Sequence, residues 1–132
     1  MEEKDNLSIT LIIEYNISLE MLDDFIVTAF EGGINYWCGK VRIKNYPPNI
    51  DDKSDEAHKM LASSVLTLGG EIVLFDAESD DQWILTRPDI IKGIKMRCED
   101  RKITPEGLYD SYDVDDVDAI VQYAIFNEIT FS

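Results

Sequence analysis

Glu71-Ile72-Val73-Leu74-Phe75-Asp76-Ala77-Glu78-Ser79-Asp80-Asp81-Gln82-Trp83-Ile84-Leu85-Thr86-Arg87-Pro88-Asp89 holds two strands, the turn between them and the start of a helix. Branched and aromatic residues crowd Glu71 to Asp76, so this segment reads as a strand. Ala77 to Asp81 is an acidic turn, and Gln82 to Thr86 pairs back. Thr86 then caps a helix. Pro88 sits just inside it, and Asp89 can return to the cap amide in a capping box. The helix runs to about Arg101, with Ile90, Ile91, Ile94 and Met96 or Cys98 inward. Gly93 permits close packing against the sheet. Adjacent antiparallel strands followed at once by a helix predict an α+β fold: a single-domain sandwich, helices packed on a small, mainly antiparallel sheet.

Outward from this unit, Leu7 to Glu14 alternates apolar and polar residues and reads as a strand. Ser18 caps a helix from Leu19 to about Glu31, whose stripe is Leu22, Phe25, Ile26, Ala29 and Phe30. Gly32-Gly33 ends it through the left-handed conformation open to glycine. Ile34 to Lys44 becomes a strand with Lys40, Arg42 and Lys44 on one face. Tyr46-Pro47-Pro48 breaks it. Asp55 to Leu68 fits a helix, and Ser63 to Phe75 alternatively fits a hairpin around Gly69-Gly70. The helix is preferred for the helix-forming run Ala57 to Ala62. Lys102 to Tyr112 reads as a loop. Asp113 or Asp115 opens a last helix, with Val117, Ile120, Val121, Ala124 and Ile125 on one face. Ile129 to Phe131 suits a short final strand.

The 132 residues carry 27 acidic and 12 basic side chains, a net charge of −15. That length predicts one domain, residues 1–132. An acidic surplus is the wrong sign for direct nucleic-acid binding, which needs cations to displace counterions, and for anionic membrane surfaces. Cys38 and Cys98 match no zinc spacing. Two free thiols in a reducing cytoplasm are expected, since Met1 to Asp5 lacks an apolar signal region. No apolar run approaches the roughly 18 residues of a membrane span. No cofactor is implied.

Two acidic clusters are candidate sites. Asp110, Asp113, Asp115, Asp116 and Asp118 lack the central glycine and closing glutamate of a calcium loop. They read more simply as helix caps that complement the dipole. Asp76, Glu78, Asp80 and Asp81 can supply paired carboxylates to a hydrolase or metal nuclease, or merely a solvated turn. His58, the lone imidazole, has no nucleophile motif beside it. Tyr36-Trp37 offers hot-spot residues. Successive strand positions face opposite ways, which places Trp37 inward, its indole N–H on a backbone partner, and Tyr36 outward. Nine of the twelve cations fall in Lys40 to Lys44 and Arg87 to Lys102. This patchiness fits either steering toward a partner or internal pairing.

Three stretches carry a resemblance: Val27-Thr28-Ala29-Phe30-Glu31-Gly32-Gly33-Ile34-Asn35-Tyr36-Trp37-Cys38; Leu74 to Glu78 followed by Ile91 to Met96; and Asp118-Ala119-Ile120-Val121-Gln122-Tyr123-Ala124-Ile125-Phe126-Asn127-Glu128-Ile129. In this order they resemble a family of small acidic proteins of bacteriophages, prophages and plasmids of gut-type bacteria. The resemblance implies a setting and no catalytic residues. With the charge, it predicts a non-enzymatic interaction protein that binds a host or phage protein, with a nucleic-acid-binding surface as one candidate target. Tyr36, Asp76, Glu78, Asp80, Asp81, Asp113, Asp115 and Asp116 are the candidate partner-binding residues. A homodimer is compatible with this reading. A small metal-dependent hydrolase or nuclease using the acidic clusters is the alternative. DNA imitation would need the carboxylates on one face. They recur in every segment, so general acidity is expected.

Overall fold

The computed structural model describes residues 6–132. Its order is α1 (Leu19–Thr28), a π-helical turn (Ala29–Gly33), β1 (Cys38–Asn45), α2 (Asp55–Lys59), α3 (Ala62–Thr67), β2 (Glu71–Asp76), β3 (Gln82–Leu85), α4 (Arg87–Arg101), α5 (Pro105–Ser111) and α6 (Val114–Phe126). The three strands form one antiparallel sheet with β2 central. The fold is the predicted α+β type.

Register assigns each sheet residue a face. Val41, Leu74 and Trp83 form one cross-strand row, and Ile43, Ile72 and Leu85 another. Both point toward the helices, and Ile72, Leu74 and Leu85 are fully buried. The opposite face carries Arg42, Val73 and Ile84 in one row and Lys40, Phe75 and Gln82 in the next. Lys40 and Arg42 thus share the outer face as expected, Lys44 is exposed at a register irregularity beyond them, and Lys40 Nζ lies 4.7 Å from the centre of the Phe75 ring.

The helices bury the stripes their sequences specify. Ser18 Oγ accepts from the Met21 N–H at 3.0 Å, α1 buries Leu22, Phe25 and Ile26, and the π-helical turn continues the stripe with Ala29. Thr86 and Asp89 form the predicted capping box on α4. Ile90, Ile94 and Cys98 of α4 are buried, while Ile91 is exposed. Gly93 packs against α6, not against the sheet. A Cβ there would overlap the Ile120 carbonyl, so glycine sets the distance between these helices. Cys38 and Cys98 are both buried and unpaired. Burial pushes both thiols above their ordinary pKa.

Several expectations are corrected. Leu7 to Glu14 forms no strand. Residues 6–17 are irregular, with Leu7 96% and Ile12 97% exposed. Alternation shows which side chains share a face, but a hydrogen-bonded neighbour is what makes a strand. Ile129 to Phe131 is also no strand, because a side-chain amide holds its backbone. The Asp55–Leu68 helix breaks at Met60 and Leu61, which are extended. The break turns Val65 and Leu66 inward and leaves Leu61 and Leu68 exposed. Gly69 follows α3 at a positive φ of 101°, a conformation open to glycine. Lys102 to Tyr112 contains α5, capped by Thr104 Oγ1 on the Gly107 N–H at 3.0 Å. Gly32 and Gly33 are not left-handed; a Cβ on Gly33 would sit 2.8 Å from Val117 Cγ2, so it serves close approach of α6. The strand expected from Ile34 starts only at Cys38, after a turn through Tyr36.

Candidate partner-binding site

The π-helical turn delivers the chain to Ile34, whose carbonyl accepts from the N–H groups of Trp37 at 3.1 Å and Cys38 at 2.8 Å. Within this turn Trp37 is 2% exposed and Tyr36 52% exposed. The facing matches the expectation, although a turn produces it. The indole's partner differs: Trp37 Nε1 donates to Asp118 Oδ1 at 2.8 Å, not to backbone. Tyr36 donates its hydroxyl to Asp118 Oδ2 at 2.6 Å. Reduced solvation, then the hydrogen bond and charge of Asp118, push the phenol up to about 12.

Gln122, one helical turn after Asp118, completes the arrangement. Its Nε2 donates to Asp118 Oδ1 at 2.9 Å and to the Phe131 carbonyl at 3.1 Å. Its Oε1 accepts from the N–H groups of Thr130 at 2.7 Å and Phe131 at 2.8 Å. Both ends of the buried amide are therefore used, as burial requires. Phe131 is thereby stacked on Trp37, 5.0 Å between centres and 5° between planes. Trp83 and Phe126 pack edge-on to complete an aromatic cluster.

The hairpin acids adjoin this turn, because the Ala77 N–H donates to the Trp37 carbonyl at 2.8 Å. Asp76 holds the hairpin turn: its carboxylate accepts from the Glu78 N–H at 3.0 Å and Ser79 Oγ at 2.7 Å. Those bonds hold its carboxyl below the usual range. Glu78, Asp80 and Asp81 project into solvent.

The second acidic cluster is divided among different tasks. Asp113 caps α6, accepting from the N–H groups of Asp115 and Asp116. Asp116 is buried and lies off the surface expected of a partner-binding residue. Its Oδ1 accepts from Arg97 Nε at 2.9 Å and its Oδ2 from Arg101 Nη1 at 3.0 Å. Burial alone would raise this carboxyl. The Arg97 hydrogen bond, the Asp113 N–H and the two guanidinium charges outweigh it and hold the pKa below ordinary. Asp115 is exposed and shares a surface cleft with Tyr36, Asp118, Arg97 and Phe131.

Tyr36 and Asp115 thus share one cleft, the Asp76–Asp81 turn lines another with Lys40 and Phe75, and Asp113 and Asp116 serve the fold. Asp118, a member of the acidic cluster not counted among the partner-binding residues, and Gln122, not singled out at all, organise the junction. Their signal was an Asp and a Gln four apart, with the Gln inside the apolar run Ile120 to Ala124. Among the described residues no group of three or more His, Cys, Asp or Glu side chains is placed to hold a metal ion. No helix among them is long and apolar enough to cross a membrane. Comparison of the chain with family models, curated proteins and solved structures finds no match.

Proposed function

We propose that the chain is a non-enzymatic interaction protein of a phage or other mobile element, and that it binds a host or phage protein through the Tyr36 junction. The observation that carries this reading is the unneutralised acid beside an exposed aromatic. Among the described residues, ion pairs take up only Glu99, Asp100 and Asp116. Asp115 is exposed in the same cleft as Tyr36 and Asp118, and Glu78, Asp80 and Asp81 are exposed on the hairpin turn whose Ala77 N–H bonds the Trp37 carbonyl. A tyrosine anchor beside Asp115 and Asp118 suits a partner surface rich in arginine and lysine. Surfaces that bind nucleic acid have that chemistry, so competition with nucleic acid for the partner is part of the proposal. The mobile-element setting and the cytoplasmic location draw on the likeness of Val27–Cys38 and Asp118–Ile129 to the phage and plasmid proteins.

The test is capture from host lysate at salt rising from about 0.05 to 0.5 M, which shortens screening from over 10 Å to a few ångströms. A partner should be retained in low salt and released as salt rises. Tyr36→Ala combined with Asp115→Asn should lose it, and added duplex DNA should displace it. Retention by that double variant at the wild-type level would overturn the assignment of this surface.

A further inference from the structure

Residues 7–15 form an arm with two chemically different sides. Leu7, Ile9, Leu11, Ile13 and Tyr15 alternate with Ser8, Thr10, Ile12 and Glu14, as in a strand covered on one face. Among the described residues, no backbone group of residues 6–17 is hydrogen-bonded to another backbone group. Ile17 packs at the core and fixes the root of the arm. The apolar side chains beyond it are largely in water: Leu7, Ile9, Leu11 and Ile13 are between 61% and 96% exposed.

The sheet has a matching deficiency. β1 is an edge strand of eight residues, and Leu7 to Glu14 is also eight. On the helix-facing side, Ile72 and Leu74 of the central strand are fully buried, yet Val41 and Ile43 beside them are only half-buried. A further strand would cover them. On the outer side, Lys40 and Arg42 are exposed, with Lys44 exposed beyond them, and none is in an ion pair among the described residues. The arm added here would continue the inner layer with Leu7, Ile9, Leu11 and Ile13. It would set Glu14, its one charged residue, on the cationic side. The other edge, β3, has four residues and lies beside α6.

We propose that the arm of one copy adds as a fourth strand to the β1 edge of a second copy, and the reverse, giving a two-fold strand-exchanged dimer. Each chain has one arm and, among the described residues, an unpaired β1 edge, so reciprocal exchange uses both and closes the assembly. Self-association is favoured over a foreign partner because apolar cover, charge and length all match within this one sequence. The proposal is independent of the Tyr36 junction.

Sedimentation equilibrium of the full chain near 100 μM tests it. The wild type should sediment at twice 15.1 kDa, with alternate amides between Leu7 and Glu14, those that face β1, protected from hydrogen exchange. Thr10→Pro with Leu11→Pro, adjacent positions of which one must present its N–H to β1, should give a monomer with unchanged helical circular dichroism. Ile9→Lys with Leu11→Lys should do the same by removing the apolar side. A monomeric wild type would overturn the proposal, whether its arm amides are protected by folding onto its own β1 or remain free for a foreign partner. A dimer that persists in both variants would overturn it equally.

Discussion

Trp37 and Asp118 are joined by a hydrogen bond of 2.8 Å that crosses from the turn before β1 to the middle of α6. The other oxygen of the same carboxylate takes the hydroxyl of Tyr36. Adjacent residues with opposite exposure therefore share one acceptor, and the surface position of Tyr36 is set by the same group that satisfies a buried indole.

Trp37→Ala should cost about 3–5 kcal/mol, the usual range for deleting a buried aromatic. Tyr36→Ala should cost about 1 kcal/mol or less, since its ring is half in water. Asp118→Ala should fall between them at about 1–3 kcal/mol, because it leaves the indole N–H without an acceptor. Urea unfolding of the three variants gives the order. A destabilising Tyr36→Ala beside a silent Trp37→Ala would reverse the facing.

Asp116→Ala should destabilise by about 2–3 kcal/mol. A fully buried pair broken from one side loses roughly 3–5, but the side chains of Arg97 and Arg101 are 22% and 34% exposed and keep some water. Acid should act through the same carboxylate. Its folded pKa lies below the ordinary 3.8. The stabilisation is therefore complete above about pH 4 and is lost as pH falls through the lower folded value. Thermal melts from pH 6 downward should show the gap between wild type and Asp116→Asn constant above about pH 4 and narrowing below it.

Alkali should weaken the Tyr36 junction. The phenol is raised from 10.0 to about 12, so its protonated form is the one the fold favours. That contribution is intact below pH 10 and disappears as pH rises through about 12. Tyr36→Phe should remove this component of the alkaline loss. Absorbance titration at the phenolate band checks it, with one tyrosine fewer titrating late in the variant.

Gly93→Ala should destabilise by at least the roughly 1–3 kcal/mol of core overpacking. The obstructing atom is a backbone carbonyl of α6, which cannot swing aside as a side chain can. The melting temperature should drop sharply, while Gly32→Ala, with open space at its Cβ, should leave it nearly unchanged.

Millimolar Ca²⁺ or Mg²⁺ should leave the melting temperature within error. Oxygens of Asp113, Asp116 and Asp118 are already engaged by α6 amides, arginines, an indole and a phenol, and a ligand that does not favour the folded state cannot stabilise it. A saturable rise abolished by Asp115→Asn with Asp116→Asn would contradict this.

Local rules made the centre of the chain legible. Thr86, Pro88 and Asp89 specify a helix start by chemistry within four residues, and the structure has it. The same logic at Thr104 and Pro105 was obscured because Pro105 and Gly107 also mark loops. The break at Met60 has no local cause. It is imposed by the need to face Val65 and Leu66 toward α1 and the sheet. The junction was half legible. Exposure of Tyr36 and burial of Trp37 follow from size and polarity. The pairing with Asp118 spans 81 positions, and only the folded chain brings those partners together.

The aromatic cluster also determines what light can report. Both tryptophans of the chain, Trp37 and Trp83, lie in it, beside Phe126 and Phe131. Intrinsic fluorescence therefore samples one corner of the molecule, where sheet, α6 and tail meet. Loss of that corner on unfolding should shift the emission to longer wavelength, whereas movements of the arm from Leu7 to Tyr15 should leave the spectrum unaltered.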